Sequence, residues 1–366
     1  MKLGKKALRN YKTVKYFPFK NEAGAPYILT SEPLNYLDAY LLSELNSIKR
    51  DSKKKKRKDL KKAIYFNKLS KDFYKSSLVA NMPSKGTLLY YSFINLIKVF
   101  LIKKGYNLEN RKEHHGLTLP SNNRVVLNLI NDNGNGISIF HEFSKVLGKE
   151  VKNSDGIEIN FQNLLRDLPE IHEICYALDL FPKSKRKFLP IDIKIRTNSS
   201  HKKIYYTISY EKKFDKLMNT KKLGKGIFKK LLTKENIEDD KKCHHFKSKL
   251  SINYTYNSDR SWKMCYPRLM SDINQLGVSL MLTRSGYRYY LDLDGSRFHR
   301  LSSLLGFTFY LGTVARYRPT LNEEILKGKY QPAINEAIIS CPNQFFYLLV
   351  SYITKQACAI PMAKIS

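Results

Sequence analysis

The sequence predicts an α+β fold, predominantly helical, with a small antiparallel sheet and a strongly basic insertion between two groups of helices. Three observations carry that expectation. Apolar residues recur at helical spacing near both ends of the chain, first at Leu34, Leu37, Leu41 and Leu45. Strand-like alternation marks Ile191–Ile195 and Lys203–Tyr210, and Val278–Leu282 with Tyr287–Leu293 reads as a further hairpin. Finally, residues 183–250 hold 21 Lys and Arg against 7 Asp and Glu.

Of the 366 residues, 42% are hydrophobic, which is enough for one large or two ordinary domains with a real core. The expected organisation is a basic N-terminal arm and helix over 1–62 and a first part of the helical core over 63–182. A basic, β-containing insertion over 183–296 follows, and C-terminal helices over 297–366 complete the core.

Residues 1–30 mix lysine with Tyr11, Tyr16, Phe17, Phe19 and Tyr27 and contain Pro18 and Pro26, as an extended arm or short strands would. A helix begins after Ser31, with Pro33 in its first turn, where the missing N–H costs nothing. The run Lys53–Lys58 reads as a loop or frayed helix end. A second helix is expected over 60–78 and a strongly apolar third over 88–104, stopped by Gly105 and followed by a polar loop over 107–116. Val125–Ile130 reads as a strand, 131–136 as a turn, and 137–147 as strand or short helix. Helical patterns over 159–180 break at Pro169; Gly224 and Gly226 break any long helix in the basic tract; helices over 298–315 and 333–354 close the chain.

The charge balance narrows the function. Lys and Arg number 65 against 32 Asp and Glu, a formal net charge of +33. An AT-rich genome would enrich Glu alongside Lys, so codon bias does not account for the excess. Residues 1–62 carry 17 basic and 6 acidic residues, and with 183–250 they hold most of the surplus. Concentrated tracts suit phosphate contacts driven by counterion release, and a nucleic acid, RNA or DNA, is the expected partner. The residues expected to meet it are Lys53, Lys54, Lys55, Lys56, Arg57 and Lys58, and then Lys212, Lys213, Lys221, Lys222, Lys229 and Lys230.

Other chemistries find little support. The run Leu88–Ile102 contains Asn95 and Lys98 and is short for a bilayer, so no membrane is expected, and the N-terminus lacks a secretory leader, which places the protein in the cytoplasm. Five scattered cysteines without a C-x-x-C pair indicate neither disulfides nor a zinc ribbon. Cys243-His244-His245 is flanked by Lys241, Lys242 and Lys247, which repel a cation; Asp292 and Asp294 have no E-x-K partner nearby and read as a polar strand end entering the Gly295 turn; Gly224-Lys225-Gly226 lacks P-loop spacing. No metal or cofactor is expected.

The segment Leu88–Leu117 resembles the YaaC-like proteins, in which a helix of the form Y-x-x-x-N-L-x-K precedes a His-Gly pair, here Tyr91, Asn95, Leu96, Lys98, His115 and Gly116. Phe161–Cys175 is similar to that family's leucine-rich segment, and Ala315–Lys329 to its Arg-Tyr-x-Pro segment. More widely, the helix and loop are similar to those of HEPN-domain bundles of prokaryotic defence systems, whose active members cleave RNA without metal. That resemblance implies a HEPN-like bundle and a signature of Arg, a polar residue and a downstream His. Arg166, Asp167 and His172 fit the spacing with Pro169 inside it; Arg111 and His115 are the second choice, one residue short. Arginine would stabilise charge on a scissile phosphate and histidine would move the proton of a 2′-hydroxyl.

The expected function is therefore sequence-nonspecific nucleic-acid binding in an antiviral defence system, alone or as a subunit of a complex, the setting being what the resemblance implies. The alternatives are a metal-independent HEPN-type endoribonuclease, or a structural subunit docking on an acidic partner protein; beside nucleic acid, the partners considered are a partner protein or a second copy in a homodimer.

Overall fold

The computed structural model describes residues 4–9, 12–13, 15–18, 28–49, 53–108, 112–120, 125–127, 136–151, 157–198, 200–220, 222–236, 242–256, 258–283 and 286–361. Helices among them are, in chain order, α1 (Pro33–Asn46), α2 (Lys54–Val79), α3 (Met82–Lys103), α4 (Ile139–Val146), α5 (Phe161–Arg166) and α6 (His172–Ala177). They continue with α7 (Asp215–Thr220), α8 (Lys222–Leu231), α9 (Asp259–Gln275), α10 (Arg300–Tyr317), α11 (Pro319–Lys327) and α12 (Gln331–Thr354). The protein is mostly helical α+β, and its chain forms two compact units.

One unit comprises residues 1–29, 181–296 and 355–366. Its centre is an antiparallel sheet of eight strands, in the order Leu232–Glu235, Cys243–Ser248, Lys203–Glu211, Phe188–Thr197, Gly286–Asp292, Val278–Thr283. Lys5–Lys6 pairs with the 188–197 strand and Ile252–Asn253 with the 203–211 strand. The sheet is larger than the small one expected, because the basic tract contributes strands of its own. Lysine-rich strands suit a sheet edge, where one side stays wet and the charge discourages pairing with another chain.

Helix α9 has no counterpart in the sequence expectations. Its buried residues Trp262, Cys265, Tyr266, Leu269, Met270 and Ile273 recur at helical spacing, but Pro267 stands in the middle and argues locally against a helix. Packing overrides it: Tyr206 Oη in the sheet donates to Asp272 at 2.6 Å, and Tyr16 Oη donates to Asn274 at 2.6 Å.

The second unit comprises residues 30–180 and 297–354 and is a helical bundle around α3. Phe93 on α3 stacks on Phe345 of α12 with centroids 3.9 Å apart, and Ser92 donates to the Ser70 carbonyl at 2.7 Å, a small-residue contact that brings α2 close. Gly86 and Gly312 do the same between α3 and α10: a β-carbon on Gly86 would lie 2.8 Å from Leu311 Cβ, and one on Gly312 3.1 Å from the Thr87 Cα. Helices α3 and α12 are long and apolar enough to cross a membrane by length and composition, yet 72% of each apolar window is buried inside the protein, as core helices are.

The run Lys53–Lys58, expected as a loop or frayed helix end, is helix from Lys54 onward. Lys53 takes φ +53° as the N-cap residue, and Arg57 reaches back to donate to Leu45 O at 3.0 Å and Ile48 O at 2.5 Å, closing the end of α1. That tie, added to burial of Leu60, Ala63 and Phe66 further on, explains why a like-charged run stays helical at a terminus whose dipole disfavours it.

Candidate functional site

Three segments far apart in sequence meet in the helical bundle: the aromatic face of α3, the loop that carries His115, and the end of α10. The loop is held by short pairings. Lys112–His114 pairs in parallel with Gly136–Ser138, and Phe140 N, in the first turn of α4, donates to His115 O at 3.3 Å. Gly116 then turns with φ +78°, and a β-carbon there would lie 2.1 Å from Ser138 Oγ. Only glycine fits both the dihedral and the space, which accounts physically for the His-Gly pair.

His115 is exposed, but one edge of its ring faces the bundle: Nδ1 is 2.6 Å from Tyr90 Oη, and the ring lies at 6.2 Å from Phe309. Tyr90 is 1% exposed, and burial raises its pKa, so the phenol keeps its proton. A buried hydroxyl that donates to nothing costs about 1–3 kcal/mol. Among the described residues its acceptor is His115 Nδ1. Nδ1 therefore accepts, and the neutral ring carries its own proton on Nε2, a donor. Desolvation of the covered edge, with the nearby charges of Arg316, Lys98 and His114, holds the His115 pKa below the ordinary histidine value, so the ring is neutral at pH 7.

Arg316 completes the group. Its Nε donates to Gly312 O at 3.0 Å and one terminal nitrogen donates to Tyr91 Oη at 2.8 Å, while the guanidinium lies over the rings of Tyr91 and Tyr317 at 5.6 and 5.2 Å. The glycine contact between α3 and α10 sets this geometry, since Tyr91 and Arg316 each lie one turn beyond the residues in contact, Thr87 and Gly312. Arg316 is exposed, and among the described residues its second terminal nitrogen has no protein partner. Beside it, Lys98 pairs with Glu113 at 2.7 Å and lies over the Phe66 ring. Asn95 donates to the Tyr91 carbonyl at 2.7 Å, a bond within its own helix. The cluster thus presents a neutral imidazole N–H and a guanidinium to solvent, two donors suited to an oxyanion.

The remaining sequence candidates lie elsewhere. Arg166 ends α5, Asp167 caps it, and both are half-buried. His172 begins α6 with its side chain 1% exposed, 3.5 Å from Glu173 and edge-on to Tyr176, so its imidazole faces protein. Between them, Glu170 forms an ion pair with Arg300 at 2.6 Å, the side chains 1% and 5% exposed. Arg111 lies outside the described residues, as does Lys221, and of Lys222 only its place in α8 is described. Lys53, Lys54, Lys55, Lys56 and Lys58 are exposed, whereas Arg57 is half-buried on the end of α1. Lys212, Lys213, Lys229 and Lys230 are exposed in the sheet-containing unit, with Lys213 paired to Glu211 at 2.6 Å. Asp292 accepts from the backbone N–H groups of Asp294, Gly295 and Ser296, the work of a turn cap. Among the described residues no three His, Cys, Asp or Glu side chains group as metal ligands.

The partner of His115 escaped local reading, because the signature looks a few residues upstream while Arg316 comes from another helix. Both segments nevertheless carry the family resemblance noted above. In comparison with known proteins, a family model described as YaaC-like Protein matches residues 24–353. No curated protein and no solved structure matches.

Proposed function

We propose, from the premise that the chain belongs to the YaaC-like family and holds His115 and Arg316 together on its surface, that it binds nucleic acid through the phosphate backbone. The observation that carries this reading is the pair of outward donors, imidazole Nε2–H and guanidinium, on a chain of net charge +33. The two basic tracts supply sequence-nonspecific affinity, and the His115–Arg316 pair gives one phosphate a defined seat. The finer readings belong to the same proposal: the helical unit as a HEPN-like bundle, the setting as prokaryotic antiviral defence, the compartment as the cytoplasm, and the partner as nucleic acid rather than membrane.

Metal-independent RNA cleavage is the second reading, favoured by the neutral histidine beside a guanidinium. For His115 to take the proton of a 2′-hydroxyl, its ring must adopt the other tautomer, Nδ1–H donating to Tyr90 Oη and Nε2 bearing the lone pair. The 2′-oxygen then bonds to phosphorus, the P–O5′ bond breaks with the 5′-oxygen leaving as a hydroxyl on a proton from water, and the other product carries a 2′,3′-cyclic phosphate. The proton from the 2′-hydroxyl stays on His115 until solvent removes it. That tautomer leaves the Tyr90 proton without an acceptor among the described residues, which costs about 1–3 kcal/mol and ranks binding ahead of cleavage.

The test is a titration of labelled single-stranded RNA and DNA against salt. If about six phosphates are contacted, affinity should fall by roughly a thousandfold between about 50 and 200 mM salt. Absence of binding at low salt, with an acidic protein retained instead, would replace this reading by the docking subunit.

A further inference from the structure

Apart from the His115 cluster, the helical unit holds an open cavity of about 420 Å³ between the start of α5, α10 and the segment from α11 to Tyr330. Its apolar wall contains Phe161 and Tyr310, stacked with centroids 4.5 Å apart, and Phe161 is stacked in turn on Phe307. Tyr330 forms another part of the lining, and the polar groups on it are Asn160, Gln162, Glu324 and Lys329. Gly328 keeps its part of the rim bare, since a β-carbon there would lie 2.9 Å from the Glu324 carbonyl. Tyr310 supplies the decisive observation. Its residue is 3% exposed, it lines the cavity, and among the described residues its hydroxyl makes no hydrogen bond. That hydroxyl opens on the cavity with its donor and acceptor capacity uncommitted to protein, so a ligand there can take it up.

Size and chemistry select the ligand. The volume lies in the range of small-molecule sites, roughly 300–1,000 Å³. One carboxylate and one ammonium cancel, so the cavity offers no net attraction to phosphate, unlike the basic tracts. A stack of aromatic rings with a hydroxyl, an amide and a carboxylate suits a flat ring with polar edges. We infer that this cavity receives a nucleobase, stacked on its aromatic wall with the Tyr310 hydroxyl and Glu324 reading its edge. The carboxylate accepts N–H donors, so bases with an amino group, adenine, guanine and cytosine, are favoured over uracil. The base comes from the bound strand or from a free nucleoside, and the strand source rests on the phosphate-binding reading above.

The experiment compares a short oligocytidylate with a base-free sugar-phosphate chain of equal length, in matched salt, with free cytidine as a third arm. Tyr310→Phe removes one oxygen and keeps the ring stack, and Tyr330→Ala trims the lining without touching the Phe161 stack. Wild-type protein should bind the base-bearing chain about tenfold tighter than the base-free one, in line with one stacked base. Tyr310→Phe should reduce that preference roughly threefold to tenfold, the effect of one hydrogen bond, and leave the base-free chain unaffected. Equal affinity for the two chains without cytidine binding overturns the inference and leaves phosphate binding intact. Equal affinity with saturable cytidine binding that Tyr330→Ala weakens supports it with a free nucleoside as the source. If neither chain binds, phosphate binding has failed and the cytidine arm alone decides: saturable binding lost in the Tyr330 variant sustains the cavity, and none removes it.

Discussion

Replacing Arg316 by alanine separates the contribution of the site to binding from its contribution to folding. In the free protein the guanidinium makes two hydrogen bonds, to Gly312 O at 3.0 Å and Tyr91 Oη at 2.8 Å, and lies over two rings, all on an exposed side chain. Exposed contacts of this kind are weak, so the folding loss should be about 1 kcal/mol. A charge-assisted contact to phosphate is worth about 1.5–3 kcal/mol, so RNA affinity at low salt should fall roughly tenfold to a hundredfold. One fewer neutralised phosphate should also lower the slope of log affinity against log salt by about 0.7 for a single strand. Arg316→Lys keeps the charge and loses the fork, and should restore the slope while recovering only part of the affinity. Fluorescence anisotropy across a salt series, beside urea denaturation of the same variants, reads each quantity. Wild-type affinity and slope in a folded Arg316→Ala protein would refute the assignment of this cluster to phosphate contact.

In the same variant the His115 pKa should rise, because Arg316 is one of the cations that hold it down, and a histidine NMR titration that shows no upward shift would count against their proximity. Replacing Lys54, Lys55, Lys56 and Lys58 by serine should flatten the salt slope with little change in Tm, whereas Arg57→Ala should cost about 1–3 kcal/mol by opening the end of α1, as thermal melts of the two variants would reveal. Glu170→Gln leaves the Arg300 charge buried against a neutral partner, and urea titration should find it destabilised by about 3–5 kcal/mol. His141 and His299 are held neutral by burial, with pKa values lowered from 6.5 to about 4 and about 3. The unfolded chain takes up those protons first, so stability should be lost as pH falls from about 6.5 toward 3, and a flat profile of unfolding free energy over that window would contradict their burial.

The sequence by itself determined the class of fold and most of its helices. The apolar residues of α1, α3 and α12 repeat at helical spacing, and the alternation of 188–197, 203–211 and the 278–292 hairpin is strong enough to read without neighbours. It also determined the charge imbalance, which is a property of composition alone. The helical state of Lys54–Lys58 needed Arg57 to find carbonyls on another helix, and α9 needed a sheet to bury its stripe despite Pro267. Likewise, short charged strands such as Lys5–Lys6 and Leu232–Glu235 carry no periodicity of their own and exist because a partner strand satisfies their backbone groups. The site divides in the same way. His115 and its glycine were visible as a motif, but a spacing rule pairs a histidine only with near neighbours in sequence. What gave it Arg316, and closed the other edge of its ring against Tyr90, was the close approach of α3 and α10 at Gly86 and Gly312, a distance that two backbones reach only after the bundle has packed.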